Sequence, residues 1–198
     1  MESSGFFALI SRMRYIGRWG LMRGSYNENV QEHSHMVAVI AHALAVIRRD
    51  VFGVADIDPN AAAAAALFHD VSEILTGDLP TPVKYFNPEI MAAYKKVEEV
   101  AERKLLCMLP ESVRGSYEEL FESGLSLEMR EVIKAADKIA AYIKCVEELK
   151  AGNKEFLLAE RQTKEAIDKI SLLEVKYFMD VFMPAFGLTL DELRFSVD

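Results

Sequence analysis

Long apolar runs are missing from this chain. The longest, Ala61 to Phe68, falls well short of the roughly 18 residues that a membrane-spanning helix needs, so no membrane partner is expected. Positive charge is also scarce, with 23 Lys and Arg against 31 Asp and Glu. The net charge of −8 argues against polymeric nucleic acid as the main partner, because that binding rests on clustered cations. Only two cysteines occur. Cys107 and Cys145 sit far apart in helical, largely apolar patterns, which predicts two reduced core residues and no disulfide. The start, Met1-Glu2-Ser3-Ser4, places no basic residue ahead of its short apolar patch, so a signal peptide is not expected and a cytoplasmic location is. No β-branched alternation is long enough to demand a sheet, and no linker or repeat divides the 198 residues. A single all-α domain over residues 1–198 is therefore expected.

Helical periodicity is what the chain does have. Candidate helices run from Gly5 to Met13, Val30 to Arg49, Pro59 to Leu75, Pro88 to Met108, Glu111 to Glu122, Leu127 to Ala151, Lys154 to Ser171 and Glu174 to Pro184, with a short last one after Thr189. Asp58-Pro59 and Asn87-Pro88 each set a cap residue before a first-turn proline. Asn29 with Glu32, and Thr189 with Glu192, have the spacing of a capping box. The alanine run Ala61 to Ala66 predicts a close-packed buried helix.

That run ends abruptly in Phe68-His69-Asp70, where an imidazole adjoins a carboxylate. Such a doublet is commonly just a hydrogen-bonded pair at a helix end; two further residues favour a metal site. Asp137 lies among Ile133, Ala136, Ala140 and Ala141 at helical spacing, so it is expected to face the core and to need a cation or a donor there. His33 is followed at helical spacing by Met36, Val37 and Ile40, which points it inward, whereas His35 and His42 fall on a roughly opposite face and are read as partly exposed. The candidate ligand set is His33, His69, Asp70 and Asp137. Nitrogen and oxygen donors without thiolate suit one divalent ion, Co, Mn, Mg, Fe or Zn, and a water acidified at such an ion is a nucleophile at neutral pH. Glu73 shares the face of His69 and Asp70 if their helix continues, which would place it to handle a proton.

Two segments flank this set. Thr76 to Asn87 contains Pro80, Pro82 and Gly77, a stiff, turn-rich stretch suited to form a substrate wall. Arg12, Arg14, Arg18 and Arg23 form a basic island with no acid between Glu2 and Glu28, and arginine's fork suits phosphate oxygens. Surface arginines that merely balance the acidic remainder are the alternative there. Trp19, the only tryptophan, fits either a core anchor or a ligand contact.

Arg18-Trp19, Glu32-His33-Ser34, Phe68 through Glu73, Thr76 through Phe86 and Ala136-Asp137 together resemble the HD-domain phosphohydrolases, and within them the bacterial 5′-deoxynucleotidases, from Phe6 to about Glu192. The resemblance implies a compact all-helical HD-domain bundle, a homodimer, and hydrolysis of deoxyribonucleoside 5′-monophosphates with one divalent ion held by His33, His69, Asp70 and Asp137. It implies further that Arg18 orients the phosphate and that Trp19 favours the deoxyribose. Asp78, Leu79, Pro80 and Thr81 would contact the nucleotide, alongside His33, Asp70 and Asp137. Glu73, Asp78 and Arg18 are the candidate catalytic residues. Competing expectations are another HD activity, a cyclic phosphodiesterase or a deoxynucleoside triphosphate hydrolase, and a non-catalytic nucleotide-binding module.

Overall fold

The computed structural model describes residues 3–80, 83 and 86–193, and the fold among them is helical throughout. The α-helices are α1 (Phe6–Ile10), α2 (Val30–Asp50), α3 (Pro59–Ala66), α4 (Glu73–Thr76), α5 (Pro88–Cys107), α6 (Glu111–Glu118), α7 (Leu127–Lys150), α8 (Leu157–Asp168) and α9 (Leu173–Val181). The expected caps explain several of the starts. Asn29 accepts the Glu32 N–H at 3.0 Å while the Glu32 carboxylate takes the Asn29 N–H at 3.3 Å, which fixes the first turn of α2. Asp58 and Asn87 cap α3 and α5, each with proline in the first turn, and Ser126 caps α7.

Helices α2, α3 and α7 build the main core. Val37, Ile40, Ala41 and Leu44 of α2 meet Ala62, Ala65 and Ala66 of α3 and Val132, Ala136 and Ile139 of α7, all essentially inaccessible to solvent. Alanine on α3 lets the two backbones approach closely. A second, smaller cluster gathers Phe6, Val71, Leu105, Leu106, Leu109 and Phe121.

The boundary between these cores corrects one expectation: the helix predicted from Pro59 to Leu75 breaks at Ala66. Beyond it the chain tightens to three-residue hydrogen bonds, Phe68 N to Ala65 O, Val71 N to Phe68 O and Ile74 N to Val71 O. At three residues per turn Phe68, Val71 and Ile74 eclipse one another, and all three pack in the second cluster, where an α-helical spacing would fan them apart. Other predicted helices also finish in 3₁₀ turns, at Ser11–Tyr15, Glu122–Gly124 and Met183–Gly187, and the one predicted from Lys154 begins in one, Lys154–Phe156. After Thr189, among the described residues, the chain forms a turn that closes on Glu192 and no helix. Cys145 is buried as expected, but Cys107 is exposed at the last position of α5, on the side of the helix away from the buried Leu105 and Leu109.

The loop between the Ser11–Tyr15 turn and α2 is pinned at both ends. At its mouth Gly17 and Asn29 form an isolated antiparallel bridge, with Arg18 N donating to Glu28 O at 3.0 Å and Val30 N to Ile16 O at 2.9 Å. At its far side Lys144 Nζ donates to Tyr26 O, and the Glu148 carboxylate accepts from Ser25 N, Lys144 Nζ and Asn153 Nδ2. Gly24 permits that approach. A Cβ there would lie 2.9 Å from Tyr26 O and 3.2 Å from Glu148 Oε1.

Candidate active site

Three elements converge at the N-terminal end of α2. His33, in the second turn of α2, is fully buried; His69 and Asp70 come from the tightened turn after α3; Asp137 comes from the middle of α7. One ligand atom each from His33, His69 and Asp137 lie within 4.8 Å of one another. His33 Nε2 is 2.9 Å from Asp137 Oδ1, and Asp70 Oδ2 is 3.1 Å from His69 Nε2 and 3.8 Å from His33 Nε2. The quartet expected from sequence thus meets in space. Asp137 departs from expectation in one respect: its side chain is 39% exposed, so it reaches solvent and is not enclosed in the core.

The donor set fits a divalent cation. His69 Nδ1 lies 2.8 Å from Ala66 O, a carbonyl that can only accept, so Nδ1 carries a proton and Nε2 is the atom turned to the carboxylates, offering a lone pair once a cation displaces its own proton. That Nε2 is buried and forms no hydrogen bond, despite its proximity to Asp70. An orphaned imidazole nitrogen facing carboxylates from two directions is the arrangement a metal ion would satisfy.

The electrostatics are those of a site crowded with opposite charges. Burial by itself would lower the His69 pKa, but the charges of Asp70 and Asp137 outweigh it and hold the imidazolium up to about 9. Burial would raise Asp137, yet its hydrogen bond to His33 and the imidazole's charge bring it down to about 2. Asp70 is driven further below the carboxylate range by His69, Arg18 and His33 against the same desolvation.

Arg18 lies against this cluster, its Nη1 donating to Asp70 Oδ2 at 3.1 Å, and its guanidinium is largely shielded. Burial opposes its charge, and Asp70, Asp137, Asp78 and Glu28 more than compensate. Arg12 and Arg14, by contrast, stay on the surface, Arg12 over the Tyr15 ring and Arg14 bonded to Ser11 O. Only Arg18 of the basic island is placed within hydrogen-bond reach of a ligand candidate. Trp19 packs its indole against Phe156, with centroids 5.2 Å apart, and donates Nε1–H to Glu28 at 2.8 Å.

Glu73 is 5% exposed and follows Asp70 through a three-residue hydrogen bond, Glu73 N to Asp70 O, so it neighbours the site through the turn and not along a continuous α-helix. Asp78, Leu79 and Pro80 are half-buried beyond α4. Burial raises the Asp78 carboxyl, Arg18 pulls it down, Asp70 pushes it up, and a Trp19 backbone hydrogen bond lowers it again. Asp78 therefore sits between the basic loop and the ligand cluster. Thr81 lies outside the described residues.

Sequence reasoning passed over Glu28. Its carboxylate adjoins Trp19, Arg18 and His33 together. The signal was present, since Glu28 is the acid that closes the acid-free stretch of the basic island.

With this geometry in hand, the comparisons with known proteins agree closely. Residues 5–186 match the family model described as 5′-deoxynucleotidase YfbR-like. The chain is 48% identical over 194 residues to 5′-deoxynucleotidase YfbR of Shigella boydii and to that of Escherichia coli, covering 98% of itself and 97% of each relative. Among solved structures it resembles an HD-domain phosphohydrolase from Listeria innocua, with TM-score 0.78, 26% identity, and coverage of 91% of this chain and 87% of that one. It also resembles the HD phosphohydrolase of cyanophage S-2L, solved bound to dA and one catalytic Zn2+ ion, with TM-score 0.63, 25% identity, and coverage of 92% and 96%.

Proposed function

Because the chain belongs to the YfbR-like family of 5′-deoxynucleotidases, we propose that the cleft between α2, the His69–Asp70 turn and α7 is where it cleaves its substrate. The reaction is metal-dependent hydrolysis of 5′-deoxyribonucleoside monophosphates to deoxyribonucleosides and phosphate. The observation that carries this placement is the convergence of His33, His69 and Asp137 ligand atoms within 4.8 Å, with His69 Nε2 left orphaned.

His33, His69, Asp70 and Asp137 would hold one divalent ion, drawn from Co, Mn, Mg, Fe or Zn by the chemistry of the donors. When bound, such an ion polarises a phosphoryl oxygen and acidifies water. Arg18, held beside Asp70, donates charge-assisted hydrogen bonds to the phosphate and stabilises the charge that grows on it during displacement. Glu73 accepts the proton of the attacking water, with Asp78 the alternative proton handler and a contact to the nucleotide. Trp19 bounds the deoxyribose where a ribose 2′-hydroxyl would project, and Leu79, Pro80 and Thr81 complete the wall. The working protein is a cytoplasmic homodimer of single-domain chains. The exposed apolar residues Ile90, Met91, Val97 and Val100 of α5 support a second copy covering that helix.

The test is phosphate release by metal-loaded protein from deoxynucleoside monophosphates, ribonucleoside monophosphates, cyclic nucleotides and deoxynucleoside triphosphates. Deoxyadenosine monophosphate is cleaved and adenosine monophosphate hardly at all. Equal cleavage of the two rejects the deoxynucleotide reading, and preferred turnover of a cyclic or triphosphate substrate transfers the site to another HD activity. Arg18→Ala lowers hydrolysis of every nucleotide alike, because all share the phosphate.

A further inference from the structure

Glu28 has no part in the function just described, yet its side chain is only 11% exposed and lies among N–H groups of three working residues. Oε2 accepts the Trp19 Nε1–H at 2.8 Å and stands 3.5 Å from Arg18 Nε; Oε1 stands 4.0 Å from His33 Nδ1. Both Arg18 Nε and His33 Nδ1 are buried without a hydrogen-bond partner, so the carboxylate faces one N–H that needs an acceptor and one ring nitrogen that becomes a second whenever it carries the proton.

The backbone gives this arrangement a reason. The Gly17–Asn29 bridge sets Arg18 opposite Glu28 across the loop mouth, which fixes the carboxylate beneath the loop. Trp19 itself has φ 59°, a conformation that bulky residues rarely adopt. Backbone preference therefore does not hold the indole in place, and two side-chain contacts do: Phe156 against its face and Glu28 at its N–H. His33 poses a parallel requirement. If Nε2 faces the ion, the proton must sit on Nδ1, and an acceptor there fixes both tautomer and ring orientation.

We propose that Glu28 is a positioning residue for the active site, one carboxylate that tethers the Trp19 indole and steadies His33, so that sugar selection and metal binding share an anchor. This rests on the reading that Trp19 bounds the sugar and that His33 holds the ion. Its consequence is that deoxyribose preference depends on a residue that touches no substrate.

The test uses the protein with Glu28→Ala, Glu28→Gln, Trp19→Ala and Trp19→Phe, each checked for native helical content by circular dichroism. Trp19 is the sole tryptophan, so its fluorescence reads the tether directly, without substrate or metal. In Glu28→Ala the emission shifts to the red and acrylamide quenching becomes easier. The deoxyadenosine-to-adenosine monophosphate preference falls roughly ten-fold, the worth of one hydrogen bond to a charged acceptor. Affinity for Co2+, measured calorimetrically, falls by about ten- to a hundred-fold, as for other partners of a ligating histidine. Glu28→Gln keeps an oxygen for the indole and so retains most of the emission and the preference, which a general structural defect would not. In a Trp19→Phe background, where the N–H is gone, Glu28→Ala changes the preference by less than about two-fold. Unaltered emission and quenching in Glu28→Ala overturns the tether, and an undiminished ten-fold effect in the Trp19→Phe background overturns its route through the indole. If Trp19→Ala leaves the preference untouched, the sugar role falls and with it the selectivity half of the proposal, while fluorescence and calorimetry still decide the anchor.

Discussion

Helix α7 carries two ionic clusters, and they are built on opposite terms. Near its middle, Asp137 joins His33, His69 and Asp70 in a group where His69 Nε2 and His33 Nδ1 have no hydrogen bond. Toward its end, Lys144 and Glu148, 2% and 0% exposed, are satisfied: Lys144 Nζ reaches Tyr26 O and Glu148, and Glu148 accepts from Ser25, Lys144 and Asn153. A buried ion pair with every partner in place belongs to the scaffold, where it ties the Arg18–Trp19 loop to α7. A buried cluster left short of hydrogen bonds is one whose remaining partner arrives from outside. Both gather opposite charges, but the Lys144–Glu148 pair is enclosed and fully satisfied, whereas the other cluster reaches solvent through Asp70 and Asp137, 21% and 39% exposed, and keeps two ring nitrogens without a partner.

The largest effect that tests this comparison is on turnover. His69→Ala and Asp137→Ala each lower it by about three orders of magnitude or more if, as proposed, each removes a metal ligand worth several kcal/mol in the transition state. Phosphate release and metal content measured on the same sample check this, and full metal content with wild-type activity in either variant would remove the residue from the site. Next comes Glu73→Ala, which retains metal yet loses about two to four orders of magnitude in kcat, the usual worth of a positioned proton-transfer group. A loss confined to KM makes Glu73 a binding residue, and the same assay on Asp78→Ala separates their roles.

At the other cluster the effect moves to stability. Glu148→Ala strands the Lys144 ammonium and costs about 3–5 kcal/mol, while Lys144→Met with Glu148→Leu recovers most of that because no charge remains buried. Denaturant midpoints decide it, and a Glu148→Ala midpoint equal to wild type breaks the contrast. The same residue sets an acid limit. Burial would raise its pKa, but Lys144, Asn153 and Ser25 hold it at about 2 against an ordinary 4.5. A depressed carboxyl stabilises the fold above its unfolded pKa, so roughly 3 kcal/mol present at neutral pH is lost as pH falls from about 4.5 toward 2. That acid dependence disappears in the double variant. Smallest is the response to metal: Co2+ at about 100 times its dissociation constant adds roughly 2.7 kcal/mol to wild type and nothing to Asp137→Ala, read as a shift in melting temperature with and without chelator.

Much of the site was legible before any coordinates. His33 announced its burial through Met36, Val37 and Ile40, its helix start through Asn29 and Glu32, and the HD doublet through its place at the end of an alanine helix. Local signals of this kind survive folding because caps and faces involve residues a few positions apart. The break at Ala66 was not legible, since a helix and a three-residue turn share the same apolar residues there, and the choice fell to the second core that Phe68, Val71 and Ile74 enter. Neither was the exposure of Asp137, whose neighbours Ala136 and Ala140 are in the core as expected while its own carboxylate reaches solvent.

Sequence alone determined the helical class, the caps, the candidate donor groups and the family pattern they sit in, because periodicity and donor chemistry are properties of short segments. Tertiary structure decided which charges are satisfied. It closed the Lys144–Glu148 pair with backbone groups more than a hundred residues away, left His69 Nε2 open, and set Glu28 beneath Trp19, Arg18 and His33. Hydrogen-bond satisfaction depends on where distant segments meet, and no spacing along a single helix encodes that.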